Sequence, residues 1–428
     1  MQTAQAMIRF GLGRRGSEPV PTDPGAWLKD QITAEDAPGF DAKLPSTADG
    51  LTLLREQFRL SLPPGTSLVG PVFQADVNAQ TRLLLTTSAP FRERLVWFWV
   101  NHFTISTRQG NTNAVIGPFV REVIRPNITG PFFALLLAVM RHPAMLMYLD
   151  NNSSFGPDSP AGKSQKRGLN ENLARECLEL HTVGLTGHYT QEDVTEFARI
   201  LTGWTVDLNR YDPGYQFRAE AHQPGAKTLL GRRFPPGEAG GIAALEYLAH
   251  HPATYRHLAT KLVRHFVADD PPPDAVRVIE GVLRDTGGDL GQASLALIAL
   301  EGAWKPLTKL RLPMDYTVAV LRALDLPPEK VPGLQGVLFN LNQPLWNAPL
   351  PNGWVDEASE WAAPEALLRR VDWAWDIAGR AVDREPIDVA DATLGSLLHD
   401  DTREAVRRAP SRRDGLATLF AAPEFQRR

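Results

Sequence analysis

Residues 168–206 carry the densest helix punctuation in the chain and constrain its fold class most. At 100° per residue, Leu169, Leu173, Cys177 and Leu180 fall on one side of a helix. Glu171, Arg175 and Glu179 step along the other side at i, i+4 and i+8, with Asn172 beside them and Glu176 at the border. Asn170 is a good N-cap, Glu171 puts a negative charge in the first turn, and Gly184 and Gly187 end the helix. A second helix opens at Thr190, and Asp193 three residues later completes a capping-box spacing. Val194, Phe197, Ala198 and Leu201 form its apolar stripe, and Glu192, Glu196 and Arg199 its polar face. Gly203 stops it. Two amphipathic helices joined by a short glycine-bearing turn must bury their stripes against other helices.

The rest of the chain reads the same way. Pro90 suits a first helical turn, and Leu95 to Val100 is apolar all round, which predicts a helix buried on every side. Polar groups are expected only at its end, where Asn101, His102, Thr104 and Ser106 stand. Residues 131–150 form another apolar helix, broken at His142-Pro143, where the histidine reads as a structural hinge. Residues 215–218 and 227–230 alternate, with turn residues between them, and predict a small hairpin near 215–231. The expected fold is mainly α: a multi-helix globular array with one small β-hairpin insertion. Asp270-Pro271-Pro272-Pro273-Asp274 marks a boundary between an N-terminal helical domain, 1–268, and a C-terminal helical region, 274–428, which can pack as one unit with the first. The polar stretch 151–167 is expected as a flexible connection, or functionally as a mobile lid.

Composition excludes several classes. A net charge of −4 gives no electrostatic case for nucleic acid. A single cysteine excludes an internal disulfide and a Cys-rich metal site, and Cys177 reads as a small buried apolar side chain. The longest apolar run, Phe132 to Met140, is too short to span a membrane. The first residues lack a basic region followed by an apolar one, so the expected compartment is the cytoplasm. Gly11-Leu12-Gly13-Arg14-Arg15-Gly16 matches a dinucleotide fingerprint in letters only, because Glu18-Pro19-Val20-Pro21 follows where a helix is required. No Gly-x-Ser-x-Gly elbow and no Walker pattern is present.

The signature stretch also carries a resemblance. Asn-Glu-Asn-Leu-Ala-Arg-Glu-Cys-Leu-Glu-Leu-His-Thr-Val-Gly (170–184), Tyr-Thr-Gln-Glu-Asp-Val (189–194) and Ala-Arg-Ile-Leu-Thr-Gly-Trp-Thr (198–205) are similar to the signature of the bacterial "domain of unknown function 1800" family. Phe98-Trp99-Val100-Asn101-His102-Phe103, His142-Pro143-Ala144-Met145-Leu146, Tyr148-Leu149-Asp150, His251-Pro252-Ala253-Thr254 and Pro423-Glu424-Phe425-Gln426 agree with it. The resemblance runs over nearly the whole chain. It implies pairing with an exported sulfatase-like protein, and through that a periplasmic location by co-export. Two departures matter for metal binding. Many members carry a second histidine where this chain has Val100, and His-Asp-x-Gly-x-Lys where it has His222-Gln223-Pro224-Gly225-Ala226-Lys227.

Two functional readings follow. The first is a hydrolase-type enzyme on a polar, glycan-like polymer, with Glu171, Glu179, His102 and His181 as catalytic groups. Carboxylates beside arginines can split their pKa values for acid–base work. Asn101, Arg175, Arg199, Trp204, His222 and Lys227 would then bind substrate. The second is a non-catalytic helical partner of the sulfatase-like protein, in which the Glu171, Arg175, Glu179 ladder is structural. A divalent metal is compatible but not favoured. No His-Glu-x-x-His, Cys pair or Glu-x-x-His is present, and His181 lies about 160° round the helix from Glu179. His257, Lys261, Arg264 and His265 read as a solvated basic face. Trp346 and Trp354, in the stiff loop 342–354, either stack on flat ligands or pin the loop to the core.

Overall fold

The computed structural model describes residues 2–16, 18–40, 44–60, 62–63, 65–327 and 330–428. Helices dominate, as the periodicity predicts, with a small β insertion between residues 204 and 234. The larger hydrophobic cluster centres on the helices Pro90–His102, Phe132–Arg141 and Pro252–Phe266, through Trp99, Phe103, Phe132 and Phe266. Val276, Ile279, Leu283 and Leu297, beyond the proline-rich segment, pack into this same cluster. A second cluster forms around the helices Pro313–Leu324, Pro364–Ala378 and Arg412–Ala421, with Tyr316, Phe420 and Phe425 buried in it. The N-terminal turn enters both: Ala6 and Phe10 sit in the first and Ile8 in the second. The chain's last residues run antiparallel to 309–311, with Lys309 and Arg428 exchanging backbone hydrogen bonds of 3.1 and 2.7 Å. That pairing carries Arg428 to the interior.

Both His-Pro dipeptides are helix caps. His142 and His251 take nearly the same extended conformation, φ/ψ −72/134° and −69/136°. Each Nδ1 accepts the backbone N–H two residues on, at 3.1 and 3.2 Å, while the proline fills the first turn. The imidazole thus does what Asn or Asp usually does at this position. His142 is also buried, with its Nε2 2.8 Å from Thr47 Oγ1. We expect His142→Ala to cost about 1–2 kcal/mol and His142→Asn, which can still cap, to recover part of it, as read by urea unfolding.

The signature helix departs from the wheel. It starts at Asn172, because Asn170 Oδ1 accepts the Asn172 N–H (2.9 Å) and closes a side-chain turn first. After Glu176 it widens into a π turn, Cys177–His181, so residues beyond 177 are rotated from their α-helical directions. Cys177 is buried, as expected. Gly184 ends the turn at φ +69°, and a Cβ there would stand 2.7 Å from His257 Nδ1, so both backbone and space demand glycine. The Thr190 and Asp193 capping box is present in both directions.

The β insertion differs in pairing from the expected hairpin. β1 (Trp204–Asp207) pairs antiparallel with β2 (Gly214–Phe217), and β3 (Lys227–Leu229) with β4 (Arg232–Phe234). Residues 215–218 and 227–230 therefore belong to two separate ribbons. The cause is local: Leu230 (φ +46°) and Gly231 (φ +74°) form a tight two-residue turn that closes β3 onto β4.

Residues 151–167 are a packed connection. Asn151 donates to the carbonyls of Leu201 (3.2 Å) and Trp204 (2.8 Å), Gly156 donates to Ala221, and Asp158 and Gln223 exchange hydrogen bonds of 3.0 and 2.9 Å. The mobile-lid expectation is not met: each of these contacts ties the segment to residues 201–223. Gly11 to Gly16 follows a π turn and is a loop, as read. Among the described residues no helix is long and apolar enough to cross a membrane.

Candidate functional site

The groups singled out from the sequence fall into three places. Glu171 lies between the two signature helices on the solvent side. Its carboxylate accepts from Thr195 Oγ1 (2.6 Å), Gln191 Nε2 (2.9 Å) and Arg175 Nη2 (3.0 Å). The Thr195 bond, with help from Gln191 and Arg175, lowers its pKa against the opposing effect of burial. Glu179 accepts from the Tyr189 hydroxyl at 3.1 Å. This ladder clips the two helices together at their rim.

A second group packs around the β ribbons. Arg199 pairs with Glu196, whose other oxygen accepts the Thr228 N–H of β3 at 3.2 Å. Trp204 is fully buried under Arg141, 5.6 Å away, and against Tyr215. His222 donates from Nδ1 to the Thr202 carbonyl (2.8 Å), and its Nε2 accepts from Gly237 N (2.9 Å) and Lys227 Nζ (3.0 Å). Burial lowers the Lys227 amine to about 8. These contacts fasten loops.

The third group is interior. His102 and His181 are both 1% exposed, and His102 Nε2 donates to the His181 carbonyl at 3.2 Å. His257 Nε2 donates to the Leu180 carbonyl at 3.0 Å. Burial, then the neighbouring Lys261, depresses all three imidazoles: His181 to about 3, His257 to about 4, and His102 well below its usual value. They are neutral at physiological pH.

Of the ten predicted residues, Asn101 and His102 line a cavity of about 240 Å³. Asn101 holds the Trp354 backbone with both ends of its amide, Oδ1 at 2.8 Å from N and Nδ2 at 2.9 Å from O. That clasp sets the 352–357 loop over the helix Pro252–Phe266. Trp346 is 6% exposed and stacks on Trp97 (6.2 Å, 20°), so it pins its loop to the core. One wall of the cavity is apolar, from Trp97, Phe98, Val318, Leu338 and Trp346. The other is ionic.

That ionic wall corrects two readings. The stretch 90–94 is not free of buried charge, since Arg92, Glu93 and Arg94 are all buried. The stripe His257, Lys261, Arg264, His265 is not a solvated face, since the loop 352–357 and the helix ending at His181 cover it. Asp356 accepts the His265 Nδ1–H and also faces Lys309 (3.3 Å) and Arg428 (3.6 Å). Burial pushes the Asp356 carboxyl up, but His265, Lys309 and Arg428 together hold it well below the usual carboxylate range. Burial outweighs Asp356 at His265 and lowers that imidazole to about 4. With Nδ1 donating, His265 Nε2 is a lone pair, and it is buried without a partner. Asp315 joins Arg94 (3.0 Å) to Arg428 (3.1 Å); burial raises it, those two arginines outweigh burial, and it stands at about 2. Lys261, one turn before His265, lines the cavity, and burial lowers its amine to about 8 against the opposing pull of Asp356.

Sequence reasoning missed Arg94, Asp315, Asp356, Lys309 and Arg428, which lie far apart in the chain and meet only in the fold. On a wheel, His257 and Arg264 fall opposite the apolar stripe, as on a solvated helix. The tertiary cover leaves these two half-buried and buries His265. Among the described residues, no three His, Cys, Asp or Glu side chains are grouped so as to hold a metal ion.

A family model described as a protein of unknown function, DUF1800, matches residues 5–427. The chain belongs to that family. No curated protein and no solved structure matches it. The match spans both hydrophobic clusters and every residue of the cavity wall named above except Arg428.

Proposed function

We propose that the protein is a hydrolase-type enzyme working in the central cavity, with His265 as general base and Asp356 as the group that orients it. The observation that carries this is the His265 and Asp356 pair: a neutral imidazole fixed through Nδ1–H, with an unpartnered Nε2, at the wall of a largely apolar cavity. Such an arrangement accepts a proton from water as it attacks an acyl carbon and returns it to the leaving group. Glu171, Glu179 and His181, expected in this role, have other partners or surroundings, while His102 stays at the wall. A volume of about 240 Å³ suits a small substrate, or one end of a larger one, better than a long polymer.

A panel of chromogenic esters, amides and glycosides tests it. Once a substrate is found, His265→Ala should lower kcat/KM by about 10²–10⁴-fold with unchanged near-UV circular dichroism, and Glu171→Gln should leave it within about twofold. The opposite ranking would return the chemistry to the helix rim.

One observation favours the partner reading. Leu368, Val371 and Trp375 are 62, 41 and 46% exposed along one side of the helix Pro364–Ala378. An apolar stripe of this kind suits a protein partner, in this reading the sulfatase-like one with co-export to the periplasm. Mixing with a sulfatase-like candidate and weighing the complex by light scattering tests it: Leu368→Glu with Trp375→Glu should abolish a complex and spare turnover.

A further inference from the structure

We infer that the cavity takes a monocarboxylic acid with an apolar body, and that Lys261 receives its carboxylate. The inference rests on the cavity being the working site, as proposed above, but not on hydrolysis taking place there.

Arg94 is committed to the Gly11 carbonyl (2.8 and 2.6 Å) and to Asp315. Arg264 holds Glu357 at 3.4 Å and the Asp269 carbonyl at 3.3 Å. Lys309 holds Asp269 (2.7 Å) and two backbone carbonyls, and Arg428 lies between Asp315 and Asp356. Each carboxylate is thereby taken. Lys261 makes no hydrogen bond and no ion pair among the described residues, although it lines the cavity.

The groups around it match that charge only in part, through Asp356. Its own helix offers Arg264 and the neutral His257 and His265; the helices Pro90–His102 and Asn172–Glu176 with its π turn offer the neutral His102 and His181. The 354–357 loop offers Asp356, already bound by Lys309, Arg428 and the His265 N–H, and Glu357, paired to Arg264. Lys261 is half-buried, and an ammonium without a close counter-charge beside an apolar wall attracts an anion placed next to it.

The rest of the wall narrows the class. One uncommitted cation calls for one negative charge, whereas a phosphate dianion calls for more. Trp97 and Trp346 add ring surface to the same wall, with their Nε1 atoms shielded from it. Phe98, Leu338 and Val318 offer only apolar surface to the remainder. With the amine at about 8, Lys261 is charged at neutral pH and loses its proton as pH rises past that value, so acid binding weakens on the alkaline side.

Isothermal titration calorimetry on the full chain tests this, with hexanoate and phenylacetate as probes against hexanamide, phenylacetamide, hexylamine and inorganic phosphate. We expect an acid to bind at least about tenfold more tightly than its amide, to weaken about tenfold or more near pH 9.5, and to lose about tenfold or more in Lys261→Met. That variant removes a half-buried charge without a bonded partner and is not expected to unfold the protein; its circular dichroism and melting curve check this. Amides that bind as well as acids, phosphate that binds while the acids do not, acids that bind Lys261→Met normally, or no heat from any acid up to about 10 mM each overturn the inference. Acid binding without hydrolysis of any ester would sink the hydrolase reading alone. Ester hydrolysis without any preference for acids would sink this inference alone.

Discussion

Asp315→Ala is expected to lower the unfolding free energy by about 3–5 kcal/mol, read as a large drop in the urea midpoint. Asp315 is the carboxylate between Arg94, 3% exposed, and Arg428, fully buried. Arg311 is buried nearby over Phe425, and burial lowers it to about 9 with Asp315 as its first counterweight. Removing the carboxylate leaves these guanidiniums in the interior with less negative charge than they need. The cost is that of uncompensated buried cations, which exceeds anything a surface pair is worth. Asp315→Asn keeps acceptor oxygen and shape but not charge, and should fall between wild type and alanine. A loss under about 1 kcal/mol for Asp315→Ala would mean that water reaches the network and screens it. The same variant bears on the site, because Arg428 also faces Asp356, which orients His265.

The parts of this fold legible in the sequence are those set by neighbours along the chain. The capping box of Thr190 and Asp193 needs only a three-residue spacing, and it is present. The hinge at His142 needs only the proline after it. Helical class follows from apolar periodicity, which tertiary packing reinforces. What was not legible depends on distant residues or on small backbone departures. The π turn after Glu176 leaves no mark in an apolar stripe, yet it turns His181 inward, away from Glu179. The β ribbons pair as they do because Leu230 accepts a positive φ, which its residue type does not advertise. The site was half visible. Asn101 and His102 stood out as polar groups closing an apolar helix, and both line the cavity. Lys261 and His265 were seen but assigned to solvent, because a wheel shows one helix and not the loop folded over it. Arg94, Asp315, Asp356 and Arg428 look like ordinary surface residues until their charges are brought together.

Stability should also fall steeply in mild acid, and the direction follows from the buried imidazoles. His142 and His181 stand at about 3, His257 and His265 at about 4, and His102 well below its usual value, in each case with burial as the largest cause. The unfolded chain titrates its histidines near about 6.5. Folded values below the unfolded one mean that the native state binds fewer protons between roughly pH 6.5 and 4. Stability is therefore fully present above about pH 6.5 and is lost as pH falls toward the folded values. A tenfold difference in proton affinity between the folded and unfolded chain is worth about 1.4 kcal/mol, so each imidazole can contribute on the order of 3–5 kcal/mol before relaxation reduces it. Asp315 and Asp356 do not enter this window, because their depressed values defer their loss to below about pH 4. Urea unfolding at steps between pH 7.5 and 5 should give a slope, near about pH 5.5, of at least 3 kcal/mol per pH unit, which corresponds to more than two protons taken up on unfolding. His142→Asn lies at a cap away from the cavity wall and should reduce that slope by about one proton while leaving ligand binding untouched. A slope under about 1.4 kcal/mol per pH unit would show that these histidines reach solvent or a counter-charge, and the neutral His265 on which the proposed base depends would lose its support with them.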